Sequence, residues 1–336
     1  MKSNREMYDL CVQRRWDEII NAVESNEWQA ASYLTDPSLG TEFSLLVCAA
    51  QDGLVNVVKA LIKHGANPND RIRGAQSALM IAGPVGHDSV VEVLLNAGAD
   101  VHKKWRGETV LMMAAAQNRR DIVKRLLDAG ARVMDRDRKG QTALSYAATR
   151  GSIDSAMITL LVDAGSPVDG RDLHVPVALR DAEVVQLLLS KGPDVNARFD
   201  WTSFGAAPVV KGTTPLHVAA ADTVRESMIK AGAPIGSLQS AERLAIVESL
   251  LDGGADVDIQ SSKTGWTPLL LATHYDEAEI AAALIRAGAD PHQEFECKVK
   301  RFPLSKPRTL VETTLSAVRL AEMRPRNKRV RKLLLG

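Results

Sequence analysis

The chain has 336 residues, of which 45% are hydrophobic but only 4% aromatic, and its formal net charge is +1. This composition favours helices, because a large β-sandwich or barrel depends on aromatic and β-branched residues. The near-zero charge argues against a general nucleic-acid binder. The N-terminus has no apolar signal segment, and no run of about 18 apolar residues occurs, so we expect a cytoplasmic protein without a membrane segment. Whether it is exported into another cell stays open.

An apolar segment that ends at a glycine recurs along the chain with a period of about 33 residues. VVKALIKHGAN at 57–67 has copies at 90–100, 122–132, 157–167, 184–194, 246–256 and 280–290. Segments that begin with Thr precede several of these copies, namely TALSYAA at 142–148, TPLHVAA at 214–220 and TPLLLAT at 267–273. The glycines are spaced by 33, 32, 35, 27, 62 and 34 residues, so the pattern is regular except between Gly165 and Gly254.

Each repeat predicts two helices. The leading Thr caps the first helix, and a following Pro fits the first helical turn, where its missing N–H has no intrahelical partner to lose. Paired β-branched and leucine residues at i, i+3 and i+4 give the second helix one buried stripe. The glycine supplies the positive φ that ends this helix. One such unit cannot cover its own apolar face, so neighbouring units must stack into a solenoid.

On these residues the chain resembles the ankyrin repeat family: TPLHVAA at 214–220, the AGAD or GGAD endings and the period carry the likeness. The resemblance implies an all-α solenoid of helix-turn-helix units with short β-hairpin connections, irregular around 165–245. We expect one solenoid over 1–336. Its segments are an N-terminal cap at 1–38, regular repeats at 39–168, irregular repeats with insertions at 169–245, a regular region at 246–292, and an extended hairpin with a C-terminal cap at 293–336. An extra short helix is expected near Trp28–Leu34.

No catalytic or metal-binding motif emerges from the sequence. GxxxxGK[ST], GxSxG and HExxH are absent, and the three cysteines form no CxxC pair. The seven histidines are spread over different repeats. The resemblance implies that His217, in the TPLH segment, makes local structural hydrogen bonds. We therefore expect no enzyme activity, no catalytic residue, no metal and no cofactor.

In the ankyrin fold, hairpin tips and inner helices line a concave groove, so the resemblance places partner-binding residues around the capping Thr and after the Ala-Ala pair. Trp, Arg and Tyr dominate interface hot spots. A Trp on a hairpin either anchors a partner or folds back over its own hairpin. The candidate partner-binding residues are Trp105, Arg106, Glu108, Gln117, Arg138, Lys139, Gln141, Arg150, Trp201, Phe204, Lys211, Trp266, His274 and Tyr275.

The leading hypothesis is a non-catalytic protein–protein interaction module, monomeric on its own, that acts as a cytoplasmic scaffold, adaptor or inhibitor. An alternative is an antagonist or immunity-type inhibitor of one enzyme or toxin that uses the inserted loop 198–210. Two further interpretations are nucleic-acid binding through the basic segment 324–332 and a small active site in 198–245. Residues 101–140 carry 11 basic and 5 acidic side chains, which suits an acidic partner surface. The sequence leaves the partner's identity open.

Overall fold

The chain folds as successive pairs of helices. The computed structural model describes residues 2–30, 33–35, 42–70, 76–149, 154–199, 212–221, 240–300, 310–324 and 326–336. Two compact units divide the chain, Met1–Pro167 and Val168–Gly336, which we call unit 1 and unit 2. The architecture is mostly helical with few short strands, which confirms the predicted fold class. The segment boundaries expected within one solenoid stay a prediction.

Unit 1 contains five consecutive helix pairs among its described residues. They are α1 (Asn4–Val12) with α2 (Trp16–Glu24), α3 (Leu45–Gln51) with α4 (Val55–Lys63), α5 (Ala78–Val85) with α6 (Asp88–Asn96), α7 (Val110–Ala116) with α8 (Arg120–Asp128), and α9 (Ala143–Thr149) with α10 (Ser155–Asp163). The first helices pack in series from α3 to α9, and the second helices from α2 to α8. Antiparallel hairpins join β1 (Tyr33–Thr35) to β2 (Glu42–Ser44) and β3 (Lys104–Trp105) to β4 (Glu108–Thr109).

The pair α7 and α8 illustrates how local chemistry produces these helices. The Thr109 hydroxyl accepts the backbone N–H of Met112 at 3.3 Å, which satisfies one of the free donors at the start of α7. On α8 the side chains of Ile122, Val123 and Leu126 are buried along one face, as the i, i+3 and i+4 pattern predicts. The opposite face of the same helix is charged and exposed, so α8 can only be stable against its neighbours.

The extra helix expected near Trp28–Leu34 is not formed among the described residues of that segment. Tyr33–Thr35 is instead strand β1, paired antiparallel with β2. The Asn4 side chain also bridges to this strand, since its amide donates to the Tyr33 carbonyl at 3.2 Å and its oxygen accepts the Thr35 N–H at 3.1 Å. These long-range hydrogen bonds favour an extended backbone. They cannot be predicted from local helix propensity, which depends only on neighbouring residues in the sequence.

Unit 2 contains further helix pairs and one longer hairpin. The helices are α11 (His174–Leu179), α12 (Ala182–Leu189), α13 (Pro215–Ala220), α14 (Ser240–Asp252), α15 (Pro268–Tyr275), α16 (Ala278–Arg286), α17 (Ala317–Met323) and α18 (Lys328–Leu335). Strands β5 (Phe295–Lys300) and β6 (Leu310–Leu315) form the antiparallel hairpin that precedes α17. In neither unit does a described helix combine the length and apolar character needed to cross a bilayer.

The start of unit 2 departs from the regular repeat. A short 3-10 helix, Gly170–Leu173, stands where a hairpin would be expected, and the Asp169 carboxylate caps it by accepting the Arg171 N–H at 3.0 Å. Helix α11 that follows has only six residues and contains Pro176, which lacks the N–H that a longer helix would need. Residues 200–211 and 222–239, which include most of the inserted loop 198–210, lie outside the described residues.

His217 makes the local structural hydrogen bonds predicted for it. Its Nδ1 accepts the Thr214 backbone N–H at 3.2 Å and lies 2.7 Å from the Thr214 hydroxyl. Its Nε2 lies 2.8 Å from the Trp266 carbonyl and therefore carries the proton. His174 is equally buried, with its Nε2 2.9 Å from the Thr213 carbonyl. Burial lowers the pKa of each imidazole to about 4, so both rings are neutral at physiological pH.

Unit 2 is expected to lose stability as the pH falls from about 6.5 towards 4. The unfolded chain binds a proton at each histidine with a pKa near 6.5, whereas the folded chain resists protonation until about 4. Stability is therefore complete above about 6.5 and declines through this window by up to about 3 kcal/mol per histidine. Urea unfolding at several pH values measures the decline. A His217→Gln variant should show a shallower slope, and a native protein equally stable at pH 6.5 and 5 would contradict the prediction.

Candidate functional site

Ten of the fourteen predicted partner-binding residues lie in the described part of the chain. Arg150, Trp201, Phe204 and Lys211 lie outside it. Unit 1 holds Trp105, Arg106, Glu108, Gln117, Arg138, Lys139 and Gln141, and unit 2 holds Trp266, His274 and Tyr275. Each group is therefore a separate candidate surface, built on a different unit.

The hairpin of β3 and β4 positions the first unit 1 candidates. Trp105 and Glu108 are directly paired across the two strands, and Arg106-Gly107 forms the two-residue turn between them. Both turn residues have positive φ, 53° and 97°, which is the pattern of a type I′ turn. That turn prefers Asn at its first position, because a left-handed backbone costs a residue with a larger side chain about 1–2 kcal/mol. The sequence nevertheless places Arg there.

Arg106 and Arg138 come together at neighbouring turns. The guanidinium carbon of Arg106 lies 4.5 Å from the ring centroid of Trp105, which is within cation–π range. A Cβ on Gly107 would lie 2.8 Å from Arg138 Cγ, so the stem of Arg138 rests on the glycine of the preceding turn. Both arginines and Lys139 are exposed. We call Trp105, Arg106, Arg138 and Lys139 the turn surface.

Tyr146, which the repeat pattern does not predict as a functional residue, contacts residues beside the turn surface. Its buried hydroxyl bonds the Glu108 carboxylate at 2.8 Å and the Asp137 carboxylate at 3.0 Å. Burial, followed by these two hydrogen bonds, raises the pKa of the phenol, which keeps its proton and ties two neighbouring repeats together. One signal was present in the sequence, because the equivalent position of other repeats holds the aliphatic or thioether side chains of Ile81, Met113, Val218 and Leu271.

Gln141 was predicted to bind a partner, but the structure buries its side chain. Its side chain is only 1% exposed, and neither of its amide atoms has a hydrogen-bond partner. Gln141 directly precedes the capping Thr142, and its burial excludes direct contact with a partner. Glu108 and Trp266, at the same position of other repeats, are partly buried as well. Gln117, which caps the end of α7, is exposed and remains accessible.

Several exposed cations of unit 1 form ion pairs in the described part of the chain, whereas the arginines of the turn surface do not. Ion pairs join Arg14 to Asp52, Lys104 to Asp135, Arg120 to Asp154 and Arg125 to Glu92. Within the described residues, Arg106 and Arg138 have no carboxylate within 4.0 Å, and no cation lies that close to Glu108. These charges are available to another molecule. The described residues contain no group of three His, Cys, Asp or Glu side chains arranged to hold a metal ion.

The unit 2 candidates form an aromatic cluster. The rings of Trp266 and His274 are 5.0 Å apart, and those of His274 and Tyr275 are 4.9 Å apart, both near edge-to-face. Burial lowers the pKa of His274 to about 4, and the positive charge of Arg324 contributes. Trp266 packs against a buried cluster that includes Leu270 on α15 and Cys297 on β5, so the residue is partly buried within unit 2.

Comparison with known proteins identifies matches over most of the chain. A family model described as "Ankyrin repeats (3 copies)" matches 19–105, 79–172 and 111–199, and the model "Ankyrin repeat" matches 211–262 and 264–294. The human 2-5A-dependent ribonuclease is 44% identical over 50 residues, which cover 15% of this chain and 7% of that protein. The crystal structure of the human ASB11 ankyrin repeat domain aligns with a TM-score of 0.53 at 24% identity, over 74% of this chain and all of that domain.

Proposed function

Because this chain belongs to the ankyrin repeat family, whose repeats generally mediate protein–protein interactions, we propose that it is a non-catalytic module that binds a protein through the turn surface of unit 1. Ankyrin repeat proteins are typically not catalytic themselves. The likeness to the ribonuclease concerns only its repeats and lends no support to nuclease activity. We also propose that the protein is monomeric on its own and acts as a cytoplasmic scaffold, adaptor or inhibitor.

One observation carries the proposal: two exposed arginines and a tryptophan lie side by side, and the arginines have no carboxylate nearby among the described residues. Trp and Arg contribute most to protein interfaces, since they bury large areas and make several directed contacts. Elsewhere on unit 1, exposed arginines such as Arg120 and Arg125 have carboxylate partners. The turn surface therefore combines an aromatic side chain with two exposed arginines that no carboxylate of the described residues neutralises.

The basic C-terminal segment favours a capping role over nucleic-acid binding. Residues 328–335 form α18, and Val330 on this helix is fully buried. Arg331 donates to the carbonyl oxygens of Ala321 and Glu322, at 2.9 and 3.1 Å, so one of the basic side chains is occupied within unit 2.

Replacing Trp105 with Ala is expected to weaken partner binding by about 2 kcal/mol or more. Replacing Arg138 and Lys139 together with Ala should mainly slow association, and this loss should shrink at high salt, because salt screens the electrostatic attraction. The partner is first identified by cross-linking and mass spectrometry in native lysate. Binding kinetics are then measured by surface plasmon resonance.

The matched controls are Lys124→Ala on α8 and Glu92→Ala on α6, two exposed side chains on second helices. Both variants should bind as the native chain does. If they weaken binding as much as Trp105→Ala, the partner occupies another face and the proposal fails. Loss of binding in Trp201→Ala or Phe204→Ala, with Trp105→Ala unaffected, would favour inhibition through the inserted loop 198–210.

A further inference from the structure

Arg106 occupies a backbone position that its own side chain disfavours. Its φ of 53° is left-handed, and the following Gly107 also has positive φ. In such two-residue turns Asn-Gly is preferred, because Asn tolerates the left-handed region of φ and ψ better than Arg does. Residues held in disfavoured backbone regions concentrate at functional sites. The turn itself therefore does not account for an Arg at this position, whose guanidinium group lies over Trp105.

The surroundings of Arg106 determine which charged group of another molecule it can bind. The stem of Arg138 rests on Gly107, so two arginines lie at one turn. A guanidinium group is a planar fork that matches a carboxylate with two parallel hydrogen bonds. Neither arginine makes an ion pair among the described residues, so both guanidinium groups can accept a carboxylate from another molecule.

Two fixed carboxylates limit which anions fit. Glu108 is paired with Trp105 across the hairpin, and Asp137 directly precedes Arg138. The Tyr146 hydroxyl holds both carboxylates in place, and both residues are partly exposed. The two carboxylates interrupt the positive charge of the turn surface, whereas a nucleic-acid backbone or an anionic lipid surface presents closely spaced negative charge, part of which would face them. A protein segment can instead place single Asp or Glu side chains on the arginines and neutral residues between them.

We propose that the turn surface binds a linear protein segment rich in Asp and Glu, whose carboxylates pair with Arg106 and Arg138. This inference rests on the proposed function and adds the chemical class of the partner. It assigns Arg106 a specific role, in which a left-handed arginine is retained for the contact that it makes with the partner's carboxylate.

The test uses the full chain as bait for a phage-displayed library of random peptides. Enriched peptides should contain Asp and Glu above their frequency in the unselected library. An enriched peptide, synthesised and measured by calorimetry, should bind the Arg106→Asn and Arg138→Gln variants about tenfold or more weakly. Arg106→Asn is informative because Asn suits the turn, so its melting temperature should equal or exceed that of the native chain. Lys124→Gln, on the exposed face of α8, is the matched control and should bind normally.

The outcomes separate this inference from the proposed function. Enriched peptides that depend on Trp105 but show no acidic bias would overturn the inference and leave the proposed function standing. Peptides that bind Arg106→Asn, Arg138→Gln and Trp105→Ala undiminished would overturn both, as would a selection that enriches nothing. Binding of single-stranded polyuridylate RNA that is lost in Arg106→Asn would also overturn the inference, since the surface would then accept a continuous polyanion.

Discussion

Replacing Leu126 with Ala is expected to lower the free energy of unfolding by about 2–5 kcal/mol. Leu126 is 0% exposed and lies on the buried face of α8 beside Ile122 and Val123. The substitution removes three carbon atoms from a packed interior, and the cavity left behind adds to the lost transfer free energy. Stability in a stacked array is close to a sum of repeat and nearest-neighbour terms, so the loss should appear in the transition that includes unit 1.

Urea unfolding followed by far-ultraviolet circular dichroism measures this loss. The matched control is Lys124→Ala, on the exposed face of the same helix, which should change stability by no more than about 0.5 kcal/mol. Leu188→Ala tests unit 2 in the same way, because Leu188 is fully buried on α12. If Leu126→Ala and Lys124→Ala unfold at the same urea concentration, the buried face of the second helices has been assigned incorrectly.

Replacing Gly265 with Ala is expected to cost about 2–5 kcal/mol for two separate reasons. Its φ is 70°, and a residue with a Cβ is strained there by about 1–2 kcal/mol. An added Cβ would also overlap the backbone carbonyl of Glu296 on β5, so the hairpin would have to move. Overpacking of this kind typically costs a further 1–3 kcal/mol, roughly. The same hairpin carries Cys297, whose thiol donates to the Gly265 carbonyl at 3.4 Å.

Gly254→Ala is the control that isolates the two causes. Gly254 also lies in unit 2 and has a φ of 87°, but an added Cβ there would meet nothing within 4 Å. It should therefore show the backbone strain alone, about 1–2 kcal/mol. The difference between the free energies of unfolding of the two variants, measured by thermal unfolding, gives the cost of the overlap with β5. Equal losses in both variants would show that the hairpin does not rest on Gly265.

Prediction from the sequence worked where one repeat contains all the information. Thr109 caps α7 because cap and helix are three residues apart, and the stripe on α8 follows from the spacing of its apolar residues. His217 bonds Thr214 within the same turn. The positions of Trp105 and Arg106 on a hairpin could be inferred from the repeat alone. In each case the interacting groups lie close together in sequence.

The misplaced features all depend on contacts between distant residues. The stretch near Trp28–Leu34 extends into a strand because β2 and the Asn4 side chain hydrogen-bond to it. Gln141 looked accessible by its position in the repeat, but neighbouring repeats bury it. Tyr146 went unnoticed because its partner Glu108 lies in the preceding repeat. The hydrophobic periodicity predicts the elements of one repeat. It does not predict which side chains of the next repeat pack against them.

The amino-acid sequence by itself therefore determined the repeat, the helix pairs and the type of residue at the turns, since these follow from capping and from apolar spacing. Only the tertiary structure decided which of those turn residues are usable. Packing of neighbouring repeats buries Gln141, partly covers Trp266 with Leu270 and Cys297, and places the stem of Arg138 against Gly107, beside Arg106. Burial and charge pairing are properties of the whole stack, so the accessible charges could be identified only after the repeats had been assembled.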